Sequence, residues 1–152
     1  MKRYVLLTVL VLAVVVAGYG FVSESPEAIA AQWGYEDGTY RGIFADGNEI
    51  QVSIQFTLEE NIITAISFRG LAHRGTDYRS SDNAMVKGLL EQHEELIQYL
   101  VGKDIRTSLE DLRQPGLIVE SKVVDTFTGA TLRGNKIMSA MRDALNRGVY
   151  SY

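Results

Sequence analysis

One stretch of the chain admits very few conformations. Ile50, Val52, Ile54 and Phe56 alternate without a break with Gln51, Ser53, Gln55 and Thr57. Successive side chains of an extended strand point to opposite faces, so this alternation describes a strand with one buried and one wet face. A helix would scatter the same apolar residues around its circumference. The flanking segments extend the pattern. Gly38–Phe44 reads as a strand, Asp46-Gly47-Asn48 and Glu59-Glu60-Asn61 as turns, and Ile62, Ile66 and Phe68 as apolar positions of a third strand. Connections this short join antiparallel neighbours. The expectation is an antiparallel β meander.

Helical spacing follows. Gly70–Ser81 carries no regular pattern and is expected to be loop. Between Asp82 and Val101, the residues Met85, Leu89, His93, Leu96, Ile97 and Leu100 recur every three or four positions, which lines one helix face. Ser81 or Asp82 is available as its cap and Gly102 as its stop. Thr107–Leu112 suggests a short capped turn, closed before Pro115-Gly116, and Leu117–Val124 is apolar and β-branched enough for another strand. A last helix is expected from Leu132 to Asn146, with Ile137, Met141, Ala144 and Leu145 inward and Gly148 at its end. The class is therefore α+β: an antiparallel β meander with packed helices, preceded by one N-terminal transmembrane or signal helix.

That leading element rests on Lys2-Arg3 followed by nineteen uncharged residues, Tyr4 to Val22. About 20 apolar residues span a bilayer as a helix, and a basic end stays on the cytoplasmic side. An uncleaved signal-anchor is favoured by this length. A cleaved signal peptide is the alternative, with small residues at Ala17-Gly18 and Ala28-Ile29-Ala30. Either way the body is expected on the extracytoplasmic side, periplasmic or at the cell surface. The organisation is then 1–24 anchor or signal peptide, 25–35 tether, and 36–152 folded domain.

Composition removes several chemistries. There is no cysteine, which excludes disulfide scaffolds, thiolate metal sites and cysteine nucleophiles. Two histidines, His73 and His93, are too few for a histidine-rich metal centre. The net charge is −4, and −6 once Lys2 and Arg3 are set aside, with no basic run to grip a phosphate backbone. Nucleic acid is not an expected partner. Glu91, Glu94 and Glu95 read as a solvated helix face, and no nucleophile elbow, P-loop or dinucleotide fingerprint is present.

One stretch has the composition of a ligand seat. Asp125-Thr126-Phe127-Thr128-Gly129-Ala130-Thr131 joins the expected strand to the last helix through small and hydroxyl residues. Unpaired amides at a helix start favour anions, Gly129 and Ala130 leave room for close approach, and Thr128 and Thr131 offer hydroxyls. Alternatively, one threonine caps the helix and Gly129 makes the turn.

This stretch resembles the flavinylation motif of the FMN-binding domain family, found in membrane-anchored subunits of the sodium-pumping NADH:quinone oxidoreductase and related electron-transfer complexes. The opening Asp37-Gly38-Thr39-Tyr40-Arg41-Gly42 is similar to that family's start. The resemblance covers roughly residues 36 to 147. It implies FMN held covalently through Thr131 as a phosphoester threonyl-FMN, attached by a flavin transferase that uses FAD and a divalent metal. Asp125 would belong to the sequence that the transferase recognises, Gly129 and Ala130 would admit the ligand to the backbone, and Thr128 would match the hydroxyl position before them. The implied role is electron transport between redox donor and acceptor proteins, or within a quinone-linked complex at the membrane. Members often carry Ser or Thr where this chain has Arg133, which either pairs with the phosphate or is a solvated first-turn residue. A non-redox binding module of the same fold and a small FMN-dependent reductase are the rival readings.

The remaining candidates have plain alternatives. His73 is expected in a loop, exposed or approaching a flavin, and His93 as a satisfied core histidine. Asp77-Tyr78-Arg79 would stack on a flat heterocycle or simply pack the loop. Trp33 and Tyr35 would anchor the domain edge.

Overall fold

The computed structural model describes residues 34–119 and 133–151. Four antiparallel strands lie side by side in chain order: β1 (Gly38–Asp46), β2 (Glu49–Glu59), β3 (Ile62–His73) and β4 (Thr76–Asp77). The meander read from the alternation is present. Val52, Ile54, Phe56 and Leu58 of β2 are buried on one face with Ile63, Ile66, Phe68 and Leu71 of β3. Tyr40 of β1 joins them, its ring stacked on Phe56 at 5.3 Å between centroids.

The alternation breaks at its first member. Ile50 is 53% exposed, while its neighbour Gln51 is buried. Phe44 pairs with Val52 but Ala45 pairs with Ile50, so Gln51 is an extra residue in β2. Such a bulge reverses the phase of inside and outside. Buried, Gln51 is satisfied by bonds to Lys136 at 2.5 Å and Glu49 at 3.0 Å.

Two hairpin turns place consecutive residues in the left-handed region. Glu60 and Asn61 have φ of 52° and 67°, and Arg74 and Gly75 have 50° and 76°. Turns of this hand match the twist of the strands they join. The first is braced by Asp37, whose Oδ1 accepts from Glu60 N at 2.7 Å, and by Tyr35 N donating to Asn61 Oδ1 at 2.6 Å. The second is braced by Glu49, which accepts from Arg74 N at 3.1 Å and Gly75 N at 2.7 Å. The expected loop from Gly70 is thus corrected: β3 continues through it and turns back as β4.

Helix α1 (Ala84–Gln98) starts later than its spacing suggested, because Asn83 is the cap, accepting from Met85 N at 2.9 Å and Val86 N at 3.3 Å. Met85 then sits in the first turn and is 66% exposed instead of lining the core. Leu96 and Ile97, with His93 and the following Leu100, do face inward. Helix α2 (Ile105–Ser108) begins before the expected turn, capped by Asp104, and runs directly into a 3₁₀ helix, Leu109–Arg113. The strand expected from Leu117 is also corrected. Pro115–Leu117 is a 3₁₀ turn, and Leu117, Ile118 and Val119 donate back to the carbonyls of Gln114 and Pro115. Donors used locally are not available to a ladder. The rest of that expected strand lies outside the described residues.

Helix α3 (Gly134–Arg147) buries Ile137, Met141, Ala144 and Leu145 as expected, and also Met138 and Ala140. It lies on β1 at very short range. A Cβ built on Gly42 would fall 2.0 Å from Ala140 O and 2.5 Å from Ala144 N, so only glycine admits this approach. The outer edge of β1 is bonded as well: Ile43 N donates to Asp143 Oδ2 at 2.9 Å, and Tyr150 N to Thr39 O at 2.7 Å. Four of the six positions of the opening stretch therefore have structural work. Asp37 braces a turn, Tyr40 fills the core, Arg41 bonds Gln55 at 2.7 Å, and Gly42 seats α3.

The N-terminal apolar run, the tether up to Trp33 and the helix expected there lie outside the described residues. Among the described residues, no helix is long and apolar enough to cross a membrane.

Candidate functional site

Asp125, Thr128, Gly129, Ala130 and Thr131 lie outside the described residues, which resume at Arg133, the cap residue of α3. The site is accordingly built from what that junction touches. Arg133 is not a solvated first-turn residue. It is half-buried, and its guanidinium donates to Ala72 O at 2.9 Å and Tyr78 Oη at 3.0 Å. Those contacts tie the start of α3 to the end of β3 and to the residue after β4. A guanidinium keeps further N–H donors beyond these two.

The backbone of Arg133 is held from the other side. Its N–H donates to His93 Nε2 at 3.3 Å, while His93 Nδ1 lies 2.6 Å from Leu89 O. A carbonyl only accepts, so Nδ1 carries the hydrogen and Nε2 is left as an acceptor. Burial pushes the His93 pKa down to about 4, which keeps the ring neutral at pH 7, as an acceptor role requires. Its ring also meets that of Tyr78 edge-on at 6.0 Å. His93 is thus the satisfied core histidine expected, with an added role: no Arg133 side-chain oxygen can cap α3, and the imidazole bonds the cap residue's amide instead.

His73 is at the end of β3, half-buried, not in an exposed loop. Its Nδ1 is buried with no partner among the described residues. Burial first, then the charges of Arg133, Arg74 and Lys136, hold its pKa below the usual histidine range. Three cations and the opposing carboxylate of Glu49 act on this imidazole. Lys136, in the first turn of α3, donates to Gln51 Oε1 and pairs with Asp46 at 3.5 Å. Tyr78 is buried and Asp77 and Arg79 are exposed, Arg79 donating to Arg69 O at 2.6 Å.

Other chemistry has less support. An open cleft of about 420 Å³ is lined by Tyr99, Glu110, Asp111, Gln114 and Ile118 among others. Glu110 is engaged by Arg113 and Arg142, and its bond with Arg113 holds its pKa below the usual range, which unsuits it to be a proton donor. Glu91 and Glu94 are exposed on α1, as a solvated face requires, whereas Glu95 is half-buried. Among the described residues, no group of three or more histidine or carboxylate side chains is placed to hold a metal ion.

Sequence spacing had no access to the link between His93, Arg133 and Tyr78, since their bonds connect residues 40 and 55 apart in the chain. Comparison with protein-family models, curated proteins and solved structures finds no match.

Proposed function

We propose that this protein is a membrane-anchored, extracytoplasmic flavoprotein that carries FMN covalently on Thr131 and relays electrons between redox partners. The observation that carries the reading is the stretch Asp125–Thr131, with its hydroxyls and its Gly-Ala pair, set directly before the α3 junction. The opening Asp37–Gly42, the N-terminal apolar run and the α+β meander agree with it. The described side of the junction also fits a flavin phosphate. Arg133 retains donors, and His73 Nδ1 is a buried polar atom lacking a partner among the described residues. Arginine suits phosphate oxygens in particular.

In attachment, the Thr131 hydroxyl oxygen forms a bond to the flavin-side phosphorus of FAD, the anhydride bond breaks, AMP leaves, and the hydroxyl proton passes to a base of the flavin transferase. Asp125 serves recognition by that enzyme, and Thr128, Gly129 and Ala130 give access to the backbone. Once attached, the flavin supplies the electron transfer, and the protein supplies position and electrostatic environment. A covalent link also prevents loss of the cofactor to a dilute exterior.

The test is intact mass after coexpression with a flavin transferase, beside a Thr131→Ala variant. The expected gain is one FMN less one water, with fluorescence surviving a denaturing gel and both signals lost in the variant. An unmodified wild-type chain, alongside a control substrate that is modified, would refute covalent attachment and favour a non-redox binding module.

A further inference from the structure

The corner where α1, β4 and the start of α3 meet depends on one acceptor. His93, on α1, is fully buried, and its Nε2 accepts the Arg133 amide at 3.3 Å. The other ring nitrogen is committed, since Nδ1 donates to Leu89 O at 2.6 Å, one turn back in the same helix. Nε2 therefore accepts only while it carries no hydrogen. The guanidinium of the same Arg133 reaches Tyr78 Oη at 3.0 Å and Ala72 O at 2.9 Å, and Tyr78 stands edge-on to the His93 ring. Backbone and side chain of Arg133 thus join α1, the end of β3 and the residue after β4.

A proton on Nε2 would undo this joint in two ways. Its N–H would face the Arg133 N–H, donor against donor, and the Arg133 side chain has no acceptor to offer instead. The new charge would also lie away from water with the Arg133 guanidinium acting against it. Among the described residues, no carboxylate acts on the ring to offset that charge. The titratable groups that face it are Arg133 from α3 and Tyr78 after β4, while β3 meets this corner with the uncharged Ala72 carbonyl. His73, beside Ala72, feels Arg133 as well, together with Arg74, Lys136 and Glu49, so experiment must separate the two imidazoles. The rest of the fold is held elsewhere. Farther along, α3 is seated on β1 at Gly42, and the β1–β3 ladders involve neither His93 nor Arg133.

We infer that His93 is an acid-sensitive latch: on taking up a proton its ring releases the Arg133 amide, and the start of α3 parts from α1 and β4 while the β1–β3 sheet and the remainder of α3 stay folded. Only hydrogen bonds break, and neutralisation remakes them. In the parted state the imidazole regains water and its ordinary value of 6.5, against about 4 when the corner is closed. Opening is therefore unassisted above pH 6.5, about thirtyfold more populated at pH 5, and about 300-fold more populated well below pH 4. No cofactor enters this step, so its failure would leave the proposed flavin role where it stands.

The test is amide hydrogen exchange by NMR on the full chain in detergent between pH 7 and pH 4, each rate divided by the intrinsic rate at that pH. Wild type is compared with His93→Gln and His73→Gln. Glutamine extends an amide oxygen to about the Nε2 position and does not titrate in this range. The expected result is that protection of Arg133 and of Lys136, whose amide bonds Arg133 O, falls about thirtyfold by pH 5 in wild type and in His73→Gln. Amides in the middle of β2 stay better protected, and His93→Gln keeps Arg133 protection level across the range. If His93→Gln does not fold, the ring nitrogen shifts of wild type decide, by showing whether His93 protonates in step with the loss of Arg133 protection. Protonation of His93 with Arg133 protection unchanged would overturn the latch. So would Arg133 and β2 amides sharing one protection at every pH, which means that the whole fold opens, or a pH dependence that follows His73 instead.

Discussion

Replacing Gly134 by alanine sets two physical effects against each other. Gly134 is the first residue of α3, and glycine in a helix is worse than alanine by about 0.8–1 kcal/mol, so propensity alone predicts a more stable protein. Packing predicts the reverse. A Cβ at this position would lie 1.9 Å from Leu112 O and 3.0 Å from Leu112 C, both backbone atoms of the 3₁₀ helix. Ordinary contact begins near 3.4 Å, so the helix start would have to retreat by at least 1.5 Å, or Leu112 would have to leave a fully buried position. Overpacking of this kind costs about 1–3 kcal/mol and more when the obstacle cannot rotate away. With the propensity gain deducted, the expected net loss is about 2 kcal/mol. For a domain of this size that lowers the melting temperature by roughly 8 °C. Urea unfolding and thermal melts of wild type, Gly134→Ala and Gly116→Ala would measure it, the last having nothing within 4 Å of its added Cβ. A Gly134→Ala protein as stable as wild type, or more so, would refute the packing argument.

Gly42→Ala should be worse still, by about 3 kcal/mol or more, because its Cβ meets the backbone of α3 at two points; Gly70→Ala in the same sheet, with its nearest neighbour at 3.6 Å, should stay close to wild type in the same melts. His93 supplies a pH dependence with a definite sign. Its folded pKa of about 4 is below the ordinary histidine value of 6.5, so its contribution is complete above pH 6.5, falls as the unfolded chain gains the proton, and levels off below pH 4. The full span is about 3 kcal/mol, and His93→Gln should flatten the stability profile in that window; an unchanged profile in chemical denaturation would contradict it. Glu49→Gln should speed hydrogen exchange at Gly75 and Arg74. Because the Gly75 amide holds the Glu49 pKa below the usual carboxylate range, wild-type protection there should persist at neutral pH and fade only as acid protonates the group.

The parts of the fold that were legible are those fixed by nearest neighbours on one face. The β2 face from Val52 onward and the inward side of α3 follow from periodicity because burial repeats with the backbone, whereas register shifts along β3 bury Ile63 in place of the expected Ile62. The departures come from bonds between distant residues. The β3–β4 hairpin depends on Glu49, which is 25 and 26 positions from the amides it braces, and on an arginine in a left-handed conformation that turn composition does not announce. The bulge at Gln51 turns an apparently ideal alternation out of phase, and Asn83, rather than Ser81 or Asp82, caps α1. For the site, composition marked the attachment stretch and placed His93 in the core. Nothing in the spacing of residues 40 apart could show that this histidine meets Arg133.

The bonded outer side of β1 has a consequence for how copies of this protein behave together. An unpaired strand edge is a template on which another chain can add. Here Asp143 and the tail at Tyr150 occupy β1. On the far side, β3 is met at Ile62 and Ile63 by residues 102–104, at Arg69 by the Arg79 side chain, and at Ala72 and His73 by β4. Among the described residues, the longest stretch of the outer side of β3 between these contacts is residues 64–68, and a ladder that short gives an incoming strand little to hold. Dense arrays of this domain should therefore resist polymerisation through their sheets, and contacts between neighbours should be made by side chains, which can separate again.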